Sequence, residues 1–380
     1  MFSFCIITKN EKQNIERCIL SLLPCEHEIV VVDTGSNDGT VEILREMSEK
    51  NSLINFYCFE WCDDFSKAKN YAIEQASNDF VCVIDSDEFI DSIDVDNIEE
   101  LISKNPQKVG RIKRRNIFPK NRSNPENVEW INRIFSKKYY HYEGRIHEQV
   151  TRIDHEPYET YKASLCINHT GYDLTEEERK KKARRNIRLL ESELKTLFEQ
   201  ICCNKVEELE GLKPESNTPQ EQIPYILYQL GKSYYMFRDY QKAADYFEKG
   251  LIFDLDPKLE YVSDMVETYG YSLINSDRAK DAMFFESIYN EFSYTADFHF
   301  LMGLIYMNNA HFDEAISEFL KATTYSEVKT VGVNSYSAFY NIGVIYECLG
   351  NTKMAKEYYG KCGEYDMALK GLERLEKNEQ

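Results

Sequence analysis

Apolar positions recur in two different rhythms along this chain. Over the first 150 residues, short continuous apolar runs alternate with stretches of helical spacing. Residues 2–8 (FSFCIIT), 28–33 (EIVVVD), 55–59 and 80–85 (FVCVID) predict strands, and 14–23, 40–50 and 66–76 predict helices. The turn Asn37-Asp38-Gly39 opens the second of these helices. Continuous β-branched runs separated by helices predict an α/β layer with a mostly parallel sheet. Residues 105–170 are more irregular and aromatic, with strands expected near 109–118, 131–136 and 163–169.

After residue 172 helical spacing takes over. Residues 175–198 contain the run EEERKKKARRNIRLL, which reads as a solvated helix with Leu189, Leu190 and Leu194 as its apolar edge. Residues 210–224 collect Gly, Pro and polar filler and predict a linker or loop.

From about residue 225 the pattern repeats. Gly231, Gly270, Gly303 and Gly343 are each followed twelve residues later by Ala243, Ala282, Ala315 and Ala355. Three of the four copies place Tyr234, Tyr306 and Tyr346 just after the glycine, and Phe247, Phe319 and Tyr359 just after the alanine. The second copy is degenerate, with Leu273 and Glu286 at those positions. The glycine spacings of 39, 33 and 40 resemble the tetratricopeptide repeat, with a period of about 34, and leave two copies with insertions. Small Gly and Ala let paired helices approach closely, and the aromatics are expected to fill the groove between copies. The expected division is 1–172 (catalytic α/β), 173–222 (helical connector) and 223–380 (an all-α, tetratricopeptide-like domain).

Composition narrows the function. Apolar residues make up 42% and charged residues 29%, a foldable globular mixture. Lys plus Arg number 46 against 65 for Asp plus Glu, a net charge of −19. That balance argues against a nucleic acid or an anionic membrane as partner, because phosphate binding needs clustered cations. It does not exclude a small anionic ligand held by a metal. The first ten residues lack a basic signal-peptide start, and no apolar run approaches the ~18–20 residues of a membrane span. The eleven cysteines are scattered, several of them (Cys5, Cys82, Cys166) inside apolar runs, and none falls in zinc-finger spacing. They read as reduced thiols of a cytoplasmic protein.

The candidate chemistry lies at three strand ends. These are Thr8-Lys9-Asn10-Glu11, the stretch from Asp33 to Thr40, and Asp85-Ser86-Asp87-Glu88. In open parallel sheets, ligands sit beyond the carboxyl ends of the strands, so the three clusters should converge. Two carboxylates two residues apart, Asp85 and Asp87, suit Mg²⁺ or Mn²⁺, which keep positions open for phosphate oxygens. Such a cation also stabilises charge on a leaving diphosphate. The chain has neither a P-loop nor a GxGxxG after a strand, so the phosphate handler is expected to be the metal.

The segments FCIITKNEKQNIERCILSL, EIVVVDTGSNDGT and FSKAKNYAIEQASNDFVCVIDSDE, in that order, resemble the family 2 glycosyltransferases, whose nucleotide-sugar-binding fold is called GT-A. The resemblance covers about residues 1–150. It implies a UDP-sugar donor, with Thr8, Asn10 and Glu11 at the nucleoside and Asp33 at the uracil or ribose. It implies Asp64 and Asn70 lining the nucleotide pocket, Asp85 and Ser86 beside the donor, and Arg133 at a phosphate. Asp87 becomes the direct metal ligand, with Asp85 and His169 as further metal candidates. Enzymes of this family are typically inverting, which requires a base on the acceptor side. The family's usual Glu-Asp dipeptide and following Gln-x-x-Arg-Trp segment are missing. In their place stand residues 130–135 (WINRIF), 142–149 (YEGRIHEQ) and His169-Thr170-Gly171-Tyr172, similar to a subgroup with an Ile-His-Glu element. On that likeness Glu148 is the first candidate for the base and His147 a substrate or metal contact, with Glu143 and Asp91 as alternatives. The subgroup joins its catalytic domain to tetratricopeptide repeats. Its layout resembles the sublancin-type enzymes that glycosylate bacteriocin peptides, and also lipopolysaccharide-core and flagellin-type transferases. The implied reaction is metal-dependent transfer of a hexose to Cys, Ser or Thr of a peptide or protein, with a saccharide or lipid-linked acceptor as alternative. A helical solenoid offers a groove for that peptide or for a second subunit, so a homodimer through the repeats is a further expectation.

Overall fold

The computed structural model describes residues 1–118, 126–203, 205–215 and 218–377. The chain divides into two compact units, Met1–Glu178 and Arg179–Gln380.

The first unit opens with the expected alternation: β1 (Ser3–Thr8), α1 (Ile15–Leu22), β2 (Ile29–Asp33), α2 (Thr40–Lys50), β3 (Ile54–Cys58), α3 (Phe65–Gln75) and β4 (Phe80–Asp85). It continues with β5 (Glu88–Ile93), α4 (Val95–Lys104), β6 (Val109–Asn116), β7 (Asn127–Ser136), β8 (Tyr140–Glu143), β9 (Gln149–Arg152) and β10 (Thr160–His169). β8 and β9 form a separate hairpin, and the other strands form one sheet in the order β3-β2-β1-β4-β7-β6-β10-β5. Four of its seven pairings are parallel: β3 with β2, β2 with β1, β1 with β4, and β6 with β10.

Residues of β1, β2 and β4 alternate between two covered faces. Phe4, Ile6, Val31, Cys82 and Ile84 pack with Ile15 and Ile19 of α1. Cys5, Val30, Val32, Val81 and Val83 pack with Ala72 and Ile73 of α3. Burial on both faces explains the unbroken apolar runs. Each fully buried Val or Ile contributes about 1.5–3 kcal/mol relative to exposure. β5 and α4 lie where the sequence pattern predicts no element. β5 (EFIDSI) is an edge strand paired only with β10; its Asp91 faces water, while Glu88 at its start is buried.

The second unit is helical. The elements are α5 (Glu176–Gln200), α6 (Pro219–Phe237), α7 (Tyr240–Gly250), α8 (Glu260–Asn275), α9 (Tyr289–Phe292), α10 (Ala296–Asn308), α11 (Phe312–Ala322), α12 (Tyr336–Cys348), α13 (Thr352–Gly360) and α14 (Asp366–Lys377). The expected linker at 210–224 is shorter than the pattern suggests, because α6 begins at Pro219 and takes Pro224 inside it; residues 216–217 lie outside the described set. A first-turn proline removes only an N–H that has no intrahelical partner.

Phe247, Phe319 and Tyr359 pack both within their own copy and against the helix that follows it: Phe247 clusters with Met265 of α8, Phe319 with Ile342 of α12 and Tyr359 with Leu375 of α14. A Cβ at Gly231, Gly303 or Gly343 would run into the ring of Phe247, Phe319 or Tyr359 of the same copy. The glycine therefore makes room for the ring of its own helix pair. In the degenerate copy Ala282 sits in a short 3₁₀ stretch, 281–286, instead of an α-helix, and Gly270 faces Leu301 of α10. Among the described residues, no helix is long and apolar enough to cross a membrane.

Candidate active site

Strand register brings the three polar clusters together. Thr8, the last residue of β1, pairs with Asp33 at the end of β2, and Ile7 pairs with Asp85 at the end of β4. Turn chemistry then stitches the first two clusters. The Asn37 N–H donates to Asn10 Oδ1 at 2.8 Å, the Asn10 N–H to Ser36 Oγ at 2.7 Å, and the Glu11 N–H to Thr40 Oγ1 at 3.0 Å. Asn10 and the Glu11 backbone thus shape the loop after β2.

Asp33 is only 3% exposed. Its Oδ1 accepts from the N–H groups of Gly35 and Ser36, both at 2.9 Å, an Asx turn. Its Oδ2 is buried with no hydrogen-bond partner among the described residues, and so is Thr8 Oγ1. Leaving a buried acceptor unsatisfied costs about 1–3 kcal/mol. Two of them on paired residues at a strand end form a site able to accept N–H or O–H donors from a ligand.

Asp85 is used differently from the expectation. Its Oδ2 takes Arg133 Nη2 at 2.5 Å and its Oδ1 takes Lys69 Nζ at 3.0 Å. Burial alone would raise the Asp85 carboxyl, but Arg133 and Lys69 outweigh it and hold it well below the usual range. With both oxygens engaged, Asp85 bridges two cations. Arg133, expected at a phosphate, is buried against Asp85 and, at 3.3 Å, against Glu88. Glu88 is itself buried and accepts the Asp85 N–H at 2.8 Å, which fixes the turn carrying Ser86 and Asp87.

Asp87 and His169 meet, as the metal reading expects. β10 ends at His169, which pairs in register with Glu88 on one side and Asn116 on the other. His169 Nε2 lies 3.4 Å from Asp87 Oδ2. Asn116 donates its Nδ2 to Glu129, so its Oδ1 must face His169 Nδ1, 2.7 Å away, and accept from it. In the neutral ring that leaves the Nε2 lone pair directed at the Asp87 side. Gly171 closes over the pair: a Cβ there would overlap both Asp87 Oδ2 and His169 Nε2. Among the described residues there is no group of three or more His, Cys, Asp or Glu that could hold a metal. One carboxylate and one imidazole nonetheless fit a cation completed by substrate phosphate oxygens and water, which is how Mg²⁺ is commonly held.

Glu148 reaches the cluster through the β8–β9 hairpin. Glu143 and Gln149 pair at its base, so residues 144–148 form the tip. The Phe65 N–H donates to the Arg145 carbonyl at 2.8 Å, docking the tip on the start of α3. Glu148 Oε1 then lies 2.6 Å from Lys69 Nζ. His147 holds a left-handed backbone, φ +54°, uncommon for a residue with a side chain. Glu143 pairs with His141 at 2.8 Å, and Asp91 meets Asn168 Nδ2 at 3.0 Å, so both alternative bases have partners elsewhere.

Asp64 and Asn70, expected in the nucleotide pocket, have framework tasks. Asp64 caps α3, accepting from the Lys67 N–H at 3.0 Å and the Ser66 hydroxyl at 2.8 Å. Asn70 exchanges two bonds with the Tyr142 backbone, at 2.9 and 2.8 Å, and so pins the hairpin to α3.

The residue that sequence reading missed is Lys69. It is 5% exposed and links Asp85 to Glu148. Burial would lower its ammonium, but the two carboxylates hold it above its usual range. Its Nζ also sits 5.1 Å from the Tyr142 ring centre. The Tyr142 hydroxyl is buried without a hydrogen-bond partner among the described residues, and burial pushes it up to about 12 against the pull of Lys69 and Arg133. A signal was available: residues 65, 68, 69, 72 and 73 share one helical face with buried Ala68, Ala72 and Ile73, so Lys69 had to be buried too.

Known proteins resemble the chain in two regions. Residues 3–167 match the family Glycosyl transferase family 2, and residues 225–249, 296–328 and 336–366 match tetratricopeptide repeats. The chain is similar to the SPbeta prophage-derived glycosyltransferase SunS of Bacillus subtilis (strain 168), 27% identical over 259 residues, 65% of this chain and 52% of that protein. It is also similar to the lipopolysaccharide core biosynthesis glycosyltransferase LpsC of Rhizobium meliloti (strain 1021), 35% identical over 124 residues, 32% of this chain and 45% of that protein. The chain thus spans about half the length of the curated relatives it matches. Among solved structures, TarS of S. aureus aligns with 15% identity and a TM-score of 0.36, covering 74% of this chain and 53% of that one.

Proposed function

We propose that this chain, a family 2 glycosyl transferase domain followed by tetratricopeptide repeats, moves a hexose from a UDP-sugar to a Cys, Ser or Thr side chain of a peptide or protein, with inversion. The observation that carries the reading is the row of strand ends in register. A buried, unsatisfied acceptor (Asp33 Oδ2) ends β2, the Asp85 bridge ends β4 on the other side of β1, and the Asp87–His169 pair lies two residues beyond Asp85.

Each side chain has a task in that reaction. Asp33 and Thr8 accept donors of the nucleoside. Asp87 and His169 would hold a divalent cation, which when bound neutralises the diphosphate of the leaving group. Lys69 and Arg133 keep Asp85 ionised and fixed, and Glu88 holds the turn that aims Asp87. Glu148 takes the acceptor proton as the anomeric carbon is attacked from the face opposite the diphosphate. Lys69 Nζ, 2.6 Å away, holds Glu148 Oε1 in place at the hairpin tip. The repeats present a surface for a peptide acceptor. The absence of a membrane-spanning helix among the described residues fits a cytoplasmic reaction.

A second reading keeps the donor chemistry and takes a saccharide acceptor. It draws on the LpsC likeness, which has the higher identity of the two relatives above. The test is to incubate the whole chain with UDP-hexoses and Mn²⁺, offering Cys/Ser/Thr peptides and oligosaccharides, and to follow mass. A peptide gaining one hexose supports the first reading, and an oligosaccharide gaining one supports the second. Absence of donor turnover under all conditions overturns both. Full activity in EDTA overturns the metal role, and full transfer by Glu148→Gln moves the base elsewhere.

A further inference from the structure

Positive charge is not spread evenly along the chain. Residues 101–170 hold fourteen Lys and Arg against seven Asp and Glu, inside a chain of net charge −19. Part of that surplus lies on one sheet face. β7, β6 and β10 are neighbours in the sheet of the first unit, and residues paired across neighbouring strands stand on the same side. Arg111 pairs with Lys162 on β10 and Asn132 on β7, Lys113 with Cys166 and Trp130, and Arg115 with Asn168 and Val128. The opposite side carries Ile112, Ile131, Leu165 and Ile167, which pack with Ile98 and Ile102 of α4. The two sides of these strands are thus sorted, one apolar under a helix and the other cationic.

The cationic side reaches solvent. Lys162 is exposed, and Arg111, Lys113, Arg115, Val128 and Trp130 are half-buried. Arg111, Lys113 and Arg115 stand in a row along β6, roughly 6.6 Å apart, because alternate residues of a strand share a face. Lys162 reaches over β6 and places its Nζ 4.8 Å from the centre of the Trp130 ring. Arg115 meets Glu126 at 3.0 Å and Asp91 at 3.7 Å. Lys113 and Lys162 form no ion pair among the described residues.

A face of this kind suits a bilayer better than a small anion or a peptide. Its cations stand side by side and do not converge, so no single phosphate can meet them all. β6 is already paired on both sides, by β7 and β10, so a peptide finds no free strand edge there. Anionic headgroups match a row of cations, and Trp130 beside Val128 supplies the amphipathic ring that settles at a lipid interface. The net charge of the chain does not forbid the contact. Charges farther away than about 8 Å are largely screened at physiological salt, so the local sign decides.

We infer that the face carrying Arg111, Lys113, Arg115, Lys162 and Trp130 rests on an anionic lipid surface. The contact is peripheral, made by a sheet face and not by an inserted helix. The acidic composition argues against such a partner for the chain as a whole, and this face is the exception to it.

The test is sedimentation of the whole chain with vesicles of phosphatidylglycerol and phosphatidylcholine in equal parts, and with phosphatidylcholine alone. Binding to the mixed vesicles is expected to exceed binding to the neutral ones at least about tenfold in low salt, and to fall by about that factor at ~0.5 M salt. Lys113→Glu combined with Lys162→Glu is expected to lose about tenfold or more. Lys258→Glu combined with Lys353→Glu, at two exposed lysines of the second unit, should leave binding unchanged. On mixed vesicles the tryptophan emission should shift to the blue, and Trp130→Phe should abolish the shift although Trp61 remains. Equal binding to the two vesicles, or full binding by the Lys113/Lys162 double variant, overturns the inference. Retention on heparin with none on vesicles also overturns it. Should the double variant lose its native circular dichroism, the salt series and the Trp130 shift decide: binding to mixed vesicles that ignores salt, or a shift that survives Trp130→Phe, overturns the inference.

Discussion

In the first unit, Lys69 and Arg133 are buried among Asp85, Glu88 and Glu148; in the second, Lys232 and Lys329 lie among Asp264, Glu267 and Asp297. The ingredients match, but their surroundings differ. The first cluster borders buried acceptors that nothing in the described chain satisfies, Asp33 Oδ2 and Thr8 Oγ1. In the second, the chain's own lysine and amides satisfy the carboxylates. Buried charge alone therefore does not distinguish a reaction centre from a structural ion cluster. What distinguishes them is whether polar capacity is left over for a ligand, since an unsatisfied buried group persists only where something offsets its cost.

Substitutions can break that distinction, and the largest effect is expected at Lys69. Lys69→Met strands Glu148 and half of Asp85, and should cost about 3–5 kcal/mol in urea unfolding. Lys329→Met leaves buried Glu267 without its cation while Lys232 still holds Asp264, and should cost less, about 1–3 kcal/mol. Equal losses would erase the difference drawn between the two clusters.

Two glycine substitutions separate chemistry from packing. Gly171→Ala pushes a methyl between Asp87 and His169. It should cut nucleoside diphosphate release about 100-fold, or ~2.7 kcal/mol of barrier, with thermal unfolding nearly unchanged. Gly303→Ala places its Cβ 2.6 Å from the Phe319 ring. There the expected loss is in stability, about 1–3 kcal/mol by overpacking, with the turnover rate retained. A stability loss in the first variant larger than in the second would contradict these assignments.

The smallest effect is a pH slope. Burial pushes Glu267 up to about 7, with Asp297 and Asp264 adding to it and Lys329 only partly opposing. Lys329 and Lys232 serve Asp264, which burial would raise but which they hold below its usual range. Three carboxylates share two ammonium groups, and Glu267 is the one whose carboxyl is raised. Its folded-state value is raised, so its contribution to stability is full below the ordinary carboxylate range and is lost as pH rises through about 7. Glu267→Gln should flatten the fall in melting temperature between about pH 5 and 8, an effect of ~1–2 kcal/mol. An unchanged slope would show that Glu267 is ionised throughout.

Legibility in the sequence followed the range of the interaction. The strand-end clusters, the helix at 40–50 and the Gly–Ala repeat interval were readable because period and turn chemistry are local. Lys69 was readable in principle from the buried face of α3. Asn70 was not, because its partner Tyr142 is 72 residues away on a hairpin whose docking no local pattern announces. The two cations that hold Asp85 come from α3 and β7, elements distant in the chain, so no local pattern announces them.

By itself, then, the sequence determined which carboxylates stand at strand ends, which residues form the sheet core, and where the repeats begin and recur. These follow from alternation, β-branching and turn residues within a few positions. Only the tertiary structure decided which of those carboxylates is neutralised and which remains available. That choice depends on the side chains a distant strand, hairpin or inserted loop brings within hydrogen-bonding distance, and Coulomb attraction at that range overrides any local preference.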